Sequence, residues 1–487
     1  MEIKIMNSNT LTSARFRRGL LSGAGLVAFL ILTTPLASAQ DKATLDLLVK
    51  RGVISQADAD DVSKTAATPV MVTAKDATVK GLKLEGLIQT QFDAITTADK
   101  AAGASNPPST DQFFIRRAYL GALADLGNGW TGEIVFDFSA GLKNPGGYQG
   151  NGSNASQNSF EKVIITKKLE DFYGAVTAGY QKVNFTQEEY TSSAAVKPIE
   201  RSVVSNFFDT AYKGDSSRRL GFANRHNGIF WDGKLPNTGF SYGVAVSTGI
   251  QNSIAYGPSS GATTSATYTG GLNRLGTWAY VSYAGKAGDF GYKAGLNFGY
   301  SADGNSIQAS ATSPLTQANS VWGYNPVLSL TYGKSAQLDA EFIQTLVTNG
   351  RQKGTVGTAT ELASPFGFTI TPSYKINDNW EVVGRYSYLN TDGRGTAISD
   401  VVNNGADAPI PAGTAAATFN DVQSFYLELN WYPLGGSSVK FAHGYEFDQF
   451  DNRSIAITSA ANGSVPYGLT GPRANVSGVR ARLSLAF

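Results

Sequence analysis

Five cationic side chains in one segment, 184–224, make up the largest group of residues that could bind an anion. Arginine suits an oxyanion because its planar guanidinium donates two parallel hydrogen bonds at once. Five acidic residues lie in the same segment, so its summed charge predicts no preference, and the fold would have to separate the two signs in space. The cations are Lys197, Arg201, Lys213, Arg218 and Arg219, and the acids are Glu188, Glu189, Glu200, Asp209 and Asp215.

Side chains that could support catalysis or bind a metal are scarce. The chain has no cysteine and two histidines, His226 and His443, and neither lies within a recognisable motif. A hydrolase would place a serine or aspartate near a histidine, and no Gly-x-Ser-x-Gly motif, metal-ligand cluster or phosphate-cradling loop stands out above the Gly-rich background. We therefore predict that the protein is not an enzyme and uses no metal or cofactor.

The elements that would position the cations are β-strands. From residue 81 onward, apolar and polar residues alternate over stretches such as 129–138 and 291–300. Strict alternation over about ten residues is typical of a strand with one apolar and one wet face. Sixteen strands are predicted, at 82–94, 112–125, 129–138, 160–169, 173–183, 225–235, 238–249, 276–286, 290–301, 321–333, 335–348, 364–376, 379–392, 421–434, 438–449 and 473–487.

The gaps between these strands alternate between short and long. Turns such as Asn377-Asp378 take one to three residues, whereas the other gaps run from 15 to 41 residues. Short periplasmic turns opposite long external loops are typical of outer-membrane barrels. The pattern predicts an all-β fold, a closed antiparallel transmembrane β-barrel of about sixteen strands at 81–487, with a short helical segment before it.

Alternation also assigns charged residues to the inner face of this barrel. Lys293 and Arg385 fall on the polar parity of their strands, as do Lys83, Arg480 and Arg482. Two consecutive residues of a regular strand point to opposite faces. For the pair Arg116-Arg117, the pattern favours Arg117 inside, with Arg116 at a rim or a bulge.

Composition agrees with a barrel and excludes a bundle of membrane helices. Charged residues are 16% of the chain, below the roughly 25% of soluble domains. The mean hydropathy of −0.15 is too polar for transmembrane helices. All six tryptophans fall within five residues of a predicted strand end, as expected for an aromatic girdle at the level of the lipid headgroups.

The first 39 residues have the pattern of a secretory signal peptide. Arg15, Arg17 and Arg18 precede an apolar run at 19–32, which is followed by Ala37-Ser38-Ala39. We predict cleavage after Ala39 and export to the outer membrane. This segment holds four of the 40 basic residues and one of the 38 acidic ones, so the rest of the chain has a formal net charge of −1. Such a balance gives no reason to expect nucleic acid as a partner.

Residues 40–80 read differently from the barrel. An amphipathic stretch, 44–51, ends at Gly52, and Ser55 marks a second helix start. The pattern predicts a periplasmic helical segment and linker, and a poorly ordered terminus is an equal alternative. At the other end, alternation over the last strand closes on Phe487, which is predicted to be the signal read by the barrel-assembly machinery.

Three stretches together, 47–55, 113–121 and 130–138, resemble the phosphate-selective porin O/P family. The resemblance implies a sixteen-stranded homotrimeric porin, embedded in outer-membrane lipid and lipopolysaccharide, whose third external loop, 184–224, folds into the lumen. It also implies that arginines, including the tandem pair Arg116 and Arg117, draw phosphate through the pore. The length of 184–224, the longest gap, suits a loop that must descend into a pore.

The function predicted from these observations is passive diffusion of small anions, with phosphate or polyphosphate as candidates. The pore constriction and anion-binding residues would be Arg116, Arg117, Lys197, Arg201, Lys213, Arg218, Arg219, Lys293 and Arg385. A general porin for small hydrophilic solutes is the main alternative. A structural or adhesive barrel without conductance is a third.

Overall fold

The structure is a computed structural model that describes residue 50 and residues 79–99, 109–139, 159–170, 173–209, 219–249, 253–255, 267–269, 275–302, 320–351, 361–402, 418–454 and 473–487. The predicted signal peptide, 1–39, lies outside the described residues. So does nearly all of the predicted periplasmic segment, 40–80. Among the cations predicted to bind an anion, Lys213 and Arg218 also lie outside them.

Sixteen long antiparallel strands form a closed barrel, as the alternation predicts, so the predicted fold class is confirmed. Three further strands, β8, β9 and β14, have three residues each; β8 pairs with β9, and β14 with β13. The strands are β1 (Gly81–Asp99), β2 (Ser109–Gly127), β3 (Trp130–Asp137), β4 (Ser159–Leu169), β5 (Gly174–Lys182), β6 (Arg225–Lys234), β7 (Phe240–Thr248), β8 (Ser253–Ala255), β9 (Thr267–Thr269), β10 (Leu275–Ala287), β11 (Phe290–Ala302), β12 (Ser320–Tyr332), β13 (Ala336–Arg351), β14 (Glu361–Ala363), β15 (Phe366–Lys375), β16 (Trp380–Asn390), β17 (Thr418–Trp431), β18 (Val439–Ser454) and β19 (Ala474–Ala486).

The described parts of the connections between strands hold three short helices. They are α1 (Gln187–Tyr190), α2 (Val203–Asp209) and α3 (Ile398–Val401). None of the helices among the described residues is long and apolar enough to cross a membrane. The first two belong to the connection between β5 and β6, and the third to the connection between β16 and β17.

The barrel closes where β19 pairs with β1. Leu87 lies opposite Ala486, and the pairing continues to Asp99 opposite Ala474. The backbone of Phe487 extends the ladder, because its amide donates to Gly86 O at 3.1 Å and its carbonyl accepts from Gly86 N at 2.9 Å. The ring of Phe487 covers Gly86 so closely that a Cβ there would lie 2.2 Å from the ring. Closure leaves no unpaired strand edge in lipid.

The outer face is apolar and carries stacked aromatic rings near the short turns. Leu84 on β1 and Leu427 on β17 are each about three-fifths exposed. The rings of Trp380 and Trp431 stack at 5.9 Å, and those of Trp431 and Phe441 at 5.2 Å. This arrangement is that of a lipid-facing wall with an aromatic belt at its periplasmic end.

Apolar side chains also lie on the inward face of several strands, next to the long loops. On β1, β12 and β13 the inward side chains near the external end include Ile95, Val321 and Val347, all buried. These residues belong to one core cluster with α2 and α3. An apolar core therefore fills part of the external half of the barrel interior, above a polar middle zone.

Candidate functional site

The described residues of the connection between β5 and β6, which is named loop 3 (residues 184–224), lie against the inward face of the barrel wall. They bond to wall side chains whose neighbours along the strand face outward. These bonds reach strands on several sides of the lumen. They include Gln187 N to Glu341 Oε2 (2.9 Å), Lys197 Nζ to Glu381 Oε1 (2.9 Å) and Ile199 N to Glu428 Oε2 (2.7 Å).

Helix α2 anchors loop 3 in the apolar core. Phe207 and Phe208 are fully buried, as are Val203 and Val204 on the same helix. Burial of a large apolar side chain stabilises by about 1.5–3 kcal/mol. Asn206 Nδ2 also donates to Val401 O at 2.8 Å, which ties α2 to α3. These contacts hold the loop in the lumen independently of its charges.

A β-bulge on β2 brings the tandem arginines to the same face. Arg117 lies opposite Gln89 and Ile115 opposite Thr90, so Arg116 is the extra residue between them. A bulge inserts one residue into a strand and re-aims its side chain. Arg117 therefore points inward in the regular pattern, and Arg116 also points inward, toward loop 3, and not to a rim of the barrel.

Glu200 of loop 3 lies between two of the inward arginines. Arg116 Nε donates to its Oε1 at 2.7 Å and Nη2 to its Oε2 at 3.1 Å, while Arg482 Nη2 also bonds to Oε1. Arg385 Nη1 donates to the Glu200 backbone carbonyl at 2.5 Å. Burial alone would raise the pKa of the Glu200 carboxyl, but Arg116 and Arg482 hold it well below its usual range. The loop carboxylate is therefore charged and surrounded by guanidinium groups.

Arg117 has a neutral partner instead. Its Nη1 donates to Gln89 Oε1 at 2.7 Å, and only 5% of the residue is exposed. Gln89 in turn donates to Ser193 O of loop 3 at 3.3 Å. Arg482 uses the neighbouring inward amide in the same way, because its Nε donates to Gln91 Oε1 at 2.8 Å. Amide oxygens of β1 thus orient two guanidinium groups without neutralising them.

Arg480 and Arg385 are held between carboxylates. Arg480 bonds to Asp93 and to Glu446, both at 2.7 Å. Arg385 lies 3.5 Å from Glu446 and 3.4 Å from Glu188, and its guanidinium lies 5.0 Å from the centre of the Tyr426 ring. The ion pairs of Arg480 join neighbouring strands of the wall, and those of Arg385 join the wall to loop 3.

A second group of charges surrounds Glu189, where loop 3 leaves the wall. Arg201 lies 2.7 Å from this carboxylate, Lys182 3.0 Å and Arg225 3.7 Å. Arg225 also pairs with Glu161. Burial would raise the pKa of Glu189, but the three cations, Arg201 foremost, lower it to about 2. This group joins the base of loop 3 to the wall through three cations and two carboxylates.

The opposite side of loop 3 is acidic and hydroxyl-rich. A cavity of about 180 Å³ lies between the loop and strands β12–β15. Its charged lining is mainly carboxylate, from Glu188, Asp339 and Glu341, with one cation, Lys197, which pairs with Glu381. Hydroxyl groups complete the lining, from Thr191, Ser329, Thr369 and Thr371. The fold therefore separates the two signs across loop 3, a separation that charge counting does not predict.

The predicted anion-binding residues fall in different places. Arg116 and Arg117 lie at the basic side of loop 3, and Arg385 beside them, whereas Lys197 and Arg201 are paired within the loop contacts. Arg219 is buried in the return segment of loop 3, and Lys293 is exposed on the wall near a short turn. The sequence did not predict that Glu200 pairs with the arginines of the wall. Nor did it indicate Lys182, Arg225 or Gln89 as site residues, because their roles depend on contacts between the loop and the wall.

The two histidines have structural or surface positions. His226 is buried, and its ring nitrogens lie 2.9 Å from Thr248 O and 3.3 Å from Phe222 O. His443 is exposed on the outer face of β18, between Ala442 and Gly444, which point inward. Among the described residues, no group of three or more histidine, aspartate or glutamate side chains could hold a metal ion.

Comparisons with known proteins give a family and a fold. The family model described as "Phosphate-selective porin O and P" matches residues 91–454. No curated protein matches the chain. Among solved structures, an anion-selective porin from Comamonas acidovorans is 14% identical, with a TM-score of 0.51 over 84% of this chain and 99% of that one. The outer-membrane channel DcaP of Acinetobacter baumannii is also 14% identical, with a TM-score of 0.47 over 84% and 97%. The likeness to the porin from Comamonas acidovorans, at 14% identity, is one of fold alone.

Proposed function

We infer the function from one premise: the chain belongs to the phosphate-selective porin O and P family. The resemblance seen in the sequence is thereby confirmed, and the protein is an outer-membrane porin. We propose that it passes small anions by passive diffusion, and that phosphate is among them. The porin from Comamonas acidovorans, described as anion-selective, has the same fold and supports this preference.

The observation that carries the proposal is a local excess of guanidinium groups. Arg116, Arg117 and Arg482 lie on strands β2 and β19, which flank β1. Arg116 and Arg482 share one carboxylate, that of Glu200, and Arg117 bonds to the neutral amide of Gln89 beside them. Fixed positive charge replaces part of the hydration shell of an anion in a selective pore. Three forks that converge on one place suit an oxyanion better than a lone ammonium group would, since each fork can donate two hydrogen bonds.

Passage requires that the bound anion also leave. Arg480 and Arg385 lie next to the cluster but are held between carboxylates, so they add little attraction along the path. When an anion binds strongly at one site and weakly at the neighbouring positions, it can be replaced by the next anion that enters the pore. We therefore place selectivity at the Arg116, Arg117 and Arg482 cluster and not in a continuous basic surface.

Reversal potentials across a planar bilayer with a KCl gradient test the proposal. We expect anion preference in the wild-type channel, and cation preference would refute it. Arg117→Lys and Arg117→Gln form a matched pair of variants. The lysine keeps the charge but lacks the fork, so it should retain chloride preference while phosphate inhibits its current less. The glutamine should weaken both.

A general porin for small hydrophilic solutes is the second candidate. It is favoured by the cavity beside loop 3, whose hydroxyl and carboxylate lining accepts hydrogen bonds from neutral polar molecules. Liposome-swelling rates separate the candidates. Neutral sugars that enter as fast as small anions of equal size would favour the general porin. Slow sugar entry would favour the anion channel.

We further propose how the chain is processed and assembled. Residues 1–39 would be removed as a signal peptide, residues 40–80 would form a periplasmic helical segment, and the barrel would assemble as a homotrimer in lipid and lipopolysaccharide. The apolar outer wall with its exposed aromatic side chains supports the last point. N-terminal sequencing of the mature protein tests the cleavage site, and crosslinking tests the trimer. We propose no catalytic activity.

A further inference from the structure

The carboxylate of Glu200 lies in the basic cluster as a bound oxyanion would. Arg116 approaches both of its oxygens in fork geometry, and Arg482 shares Oε1. The Glu200 side chain is 2% exposed, so water contributes little to its solvation. A guanidinium meets a carboxylate and a phosphate with the same paired hydrogen bonds.

We propose that Glu200 is a tethered counter-ion: its carboxylate fills the oxyanion site made by Arg116, Arg117 and Arg482, and a permeating oxyanion such as phosphate must displace it to bind. The inference rests on the anion permeation proposed above and adds the control of that site by loop 3. The site is closed in the structure described here by a group of the protein itself.

The loop is built so that the side chain can leave while the backbone stays. The backbone around Glu200 is held by two bonds, from Arg385 Nη1 to Glu200 O and from Ile199 N to Glu428. Helix α2 anchors the next turn of the loop in the apolar core. Rotation of one side chain therefore empties the site without moving loop 3.

The charge of the site favours a polyvalent competitor. Two guanidinium groups, those of Arg116 and Arg482, bond to the one carboxylate, and Arg117, next to Arg116 in the chain, adds a third positive charge. The neutral amides of Gln89 and Gln91 orient Arg117 and Arg482. A phosphate that replaces the carboxylate can carry a second negative charge, whereas chloride cannot. By contrast Arg480 is held by two carboxylates, Asp93 and Glu446, and offers no such opening.

The tether lowers the apparent affinity for the permeating ion. A group on the protein competes at a fixed, high effective concentration. Its removal should therefore strengthen binding of phosphate while leaving the arginines in place. This consequence separates a counter-ion from a simple latch, whose removal would only loosen loop 3.

Glu200→Gln in the full-length porin tests the proposal, with inorganic phosphate titrated into a constant KCl background while the chloride current is recorded in a planar bilayer. We expect the half-inhibiting phosphate concentration to fall by about tenfold, the effect of roughly one charge-assisted hydrogen-bonded pair. The control is Asp451→Asn, which removes a carboxylate paired with the exposed Arg473 at 2.6 Å, outside the site. There the change should stay within about twofold, since a solvated pair contributes little.

Other outcomes overturn the proposal. A rise in chloride conductance with unchanged phosphate inhibition would show that Glu200 only latches the loop, and an equal shift in Asp451→Asn would show a general charge effect. If Glu200→Gln does not fold, Glu200→Asp keeps the charge but withdraws it from the paired arginines, and an unchanged inhibition there would refute the idea. The wild-type reversal potential tests anion permeation separately, so failure of that proposal is distinguishable.

Discussion

The two sides of loop 3 face walls of opposite character. On one side the inward residues of β2 and β19 are arginines oriented by glutamines of β1, and on the other the inward residues of β12–β15 are carboxylates and hydroxyls around a cavity. The same loop touches both. Selectivity in this barrel therefore depends on where the charges lie, because the loop itself holds equal numbers of each sign.

The largest change in conductance and ion preference is expected when the part of loop 3 that contacts both walls is removed. Replacing residues 187–202 by a short Gly-Ser linker should raise single-channel conductance severalfold and reduce ion preference, because a sixteen-stranded barrel without an inward segment encloses a wide aqueous channel. Single-channel recording measures both. A comparable replacement at 403–417, in the connection between β16 and β17, serves as the control, and an equal increase there would place the constriction elsewhere.

Single neutralisations on opposite walls should shift ion preference in opposite directions. Arg482→Gln should move the reversal potential toward cations, and Asp339→Asn, on the wall that lines the cavity, should move it toward anions. Each should change the permeability ratio by about three- to tenfold, corresponding to about 0.7–1.4 kcal/mol. Shifts in the same direction would show that the walls do not act separately. Heat-modified gel migration of both variants checks that the barrel is intact.

Two neighbouring carboxylates of loop 3, Glu189 and Asp209, should stabilise the protein in different pH ranges. Burial, then the neighbouring Glu189, raises the pKa of Asp209 well above 3.8, whereas Arg201, Lys182 and Arg225 outweigh burial and lower that of Glu189 to about 2. The contribution of Asp209 to the free energy of unfolding is therefore present at low pH and lost as pH rises through its raised pKa. The Glu189 contribution is present above about 4.5 and lost as pH falls toward 2.

Thermal unfolding followed by circular dichroism measures these contributions. Asp209→Asn should remove the decline of the melting temperature at rising pH, and Glu189→Gln should remove the decline at falling pH. The two variants are controls for one another, since each removes a loop carboxylate. If both flatten the same limb of the pH profile, the assignment of the two groups is wrong.

The smallest effect is expected away from loop 3. Lys293 is exposed on the wall near a short turn, where salt screens its charge within about 8 Å at physiological ionic strength. Lys293→Gln should therefore change the permeability ratio by less than about twofold. A reversal potential shifted as far as in Arg482→Gln would show that wall charges act without the constriction.

Much of the fold could be predicted from the sequence because alternation is a local signal. Each of the sixteen predicted strands overlaps an observed one, and the inward placement of Arg385, Arg480 and Arg482 followed from parity. The strands β1 and β2 extend further toward each other than predicted, to Asp99 and Ser109, because inward Ile95 and Thr97 continue the buried face into a polar stretch.

The site could be predicted only in part because its contacts are not local. Nothing near Glu200 in the sequence indicates that it meets Arg116 and Arg482, which are 84 and 282 residues away. Arg225 is the first residue of a strand that follows a long loop, so the alternation of the preceding strand does not tell which face it occupies. A strand pattern can assign a face to Arg385, but the ion pairs that neutralise it depend on how loop 3 is seated in the lumen.

The bulge on β2 has a consequence in evolutionary terms. Outward residues fall on odd numbers up to Ile115 and on even numbers from Ala118, so Arg116 is a single residue inserted into an otherwise regular alternation. The bulge at Glu161 on β4 has the same form, with Phe160 outward before it and Lys162 inward after it. Insertion of one codon at such a point adds a charge to the lumen and leaves every lipid-facing residue in place. Loss of one codon at Ala118 instead would reverse the faces of the residues on one side of it. A barrel can therefore vary its interior charge by small insertions at bulges while its membrane surface stays constant.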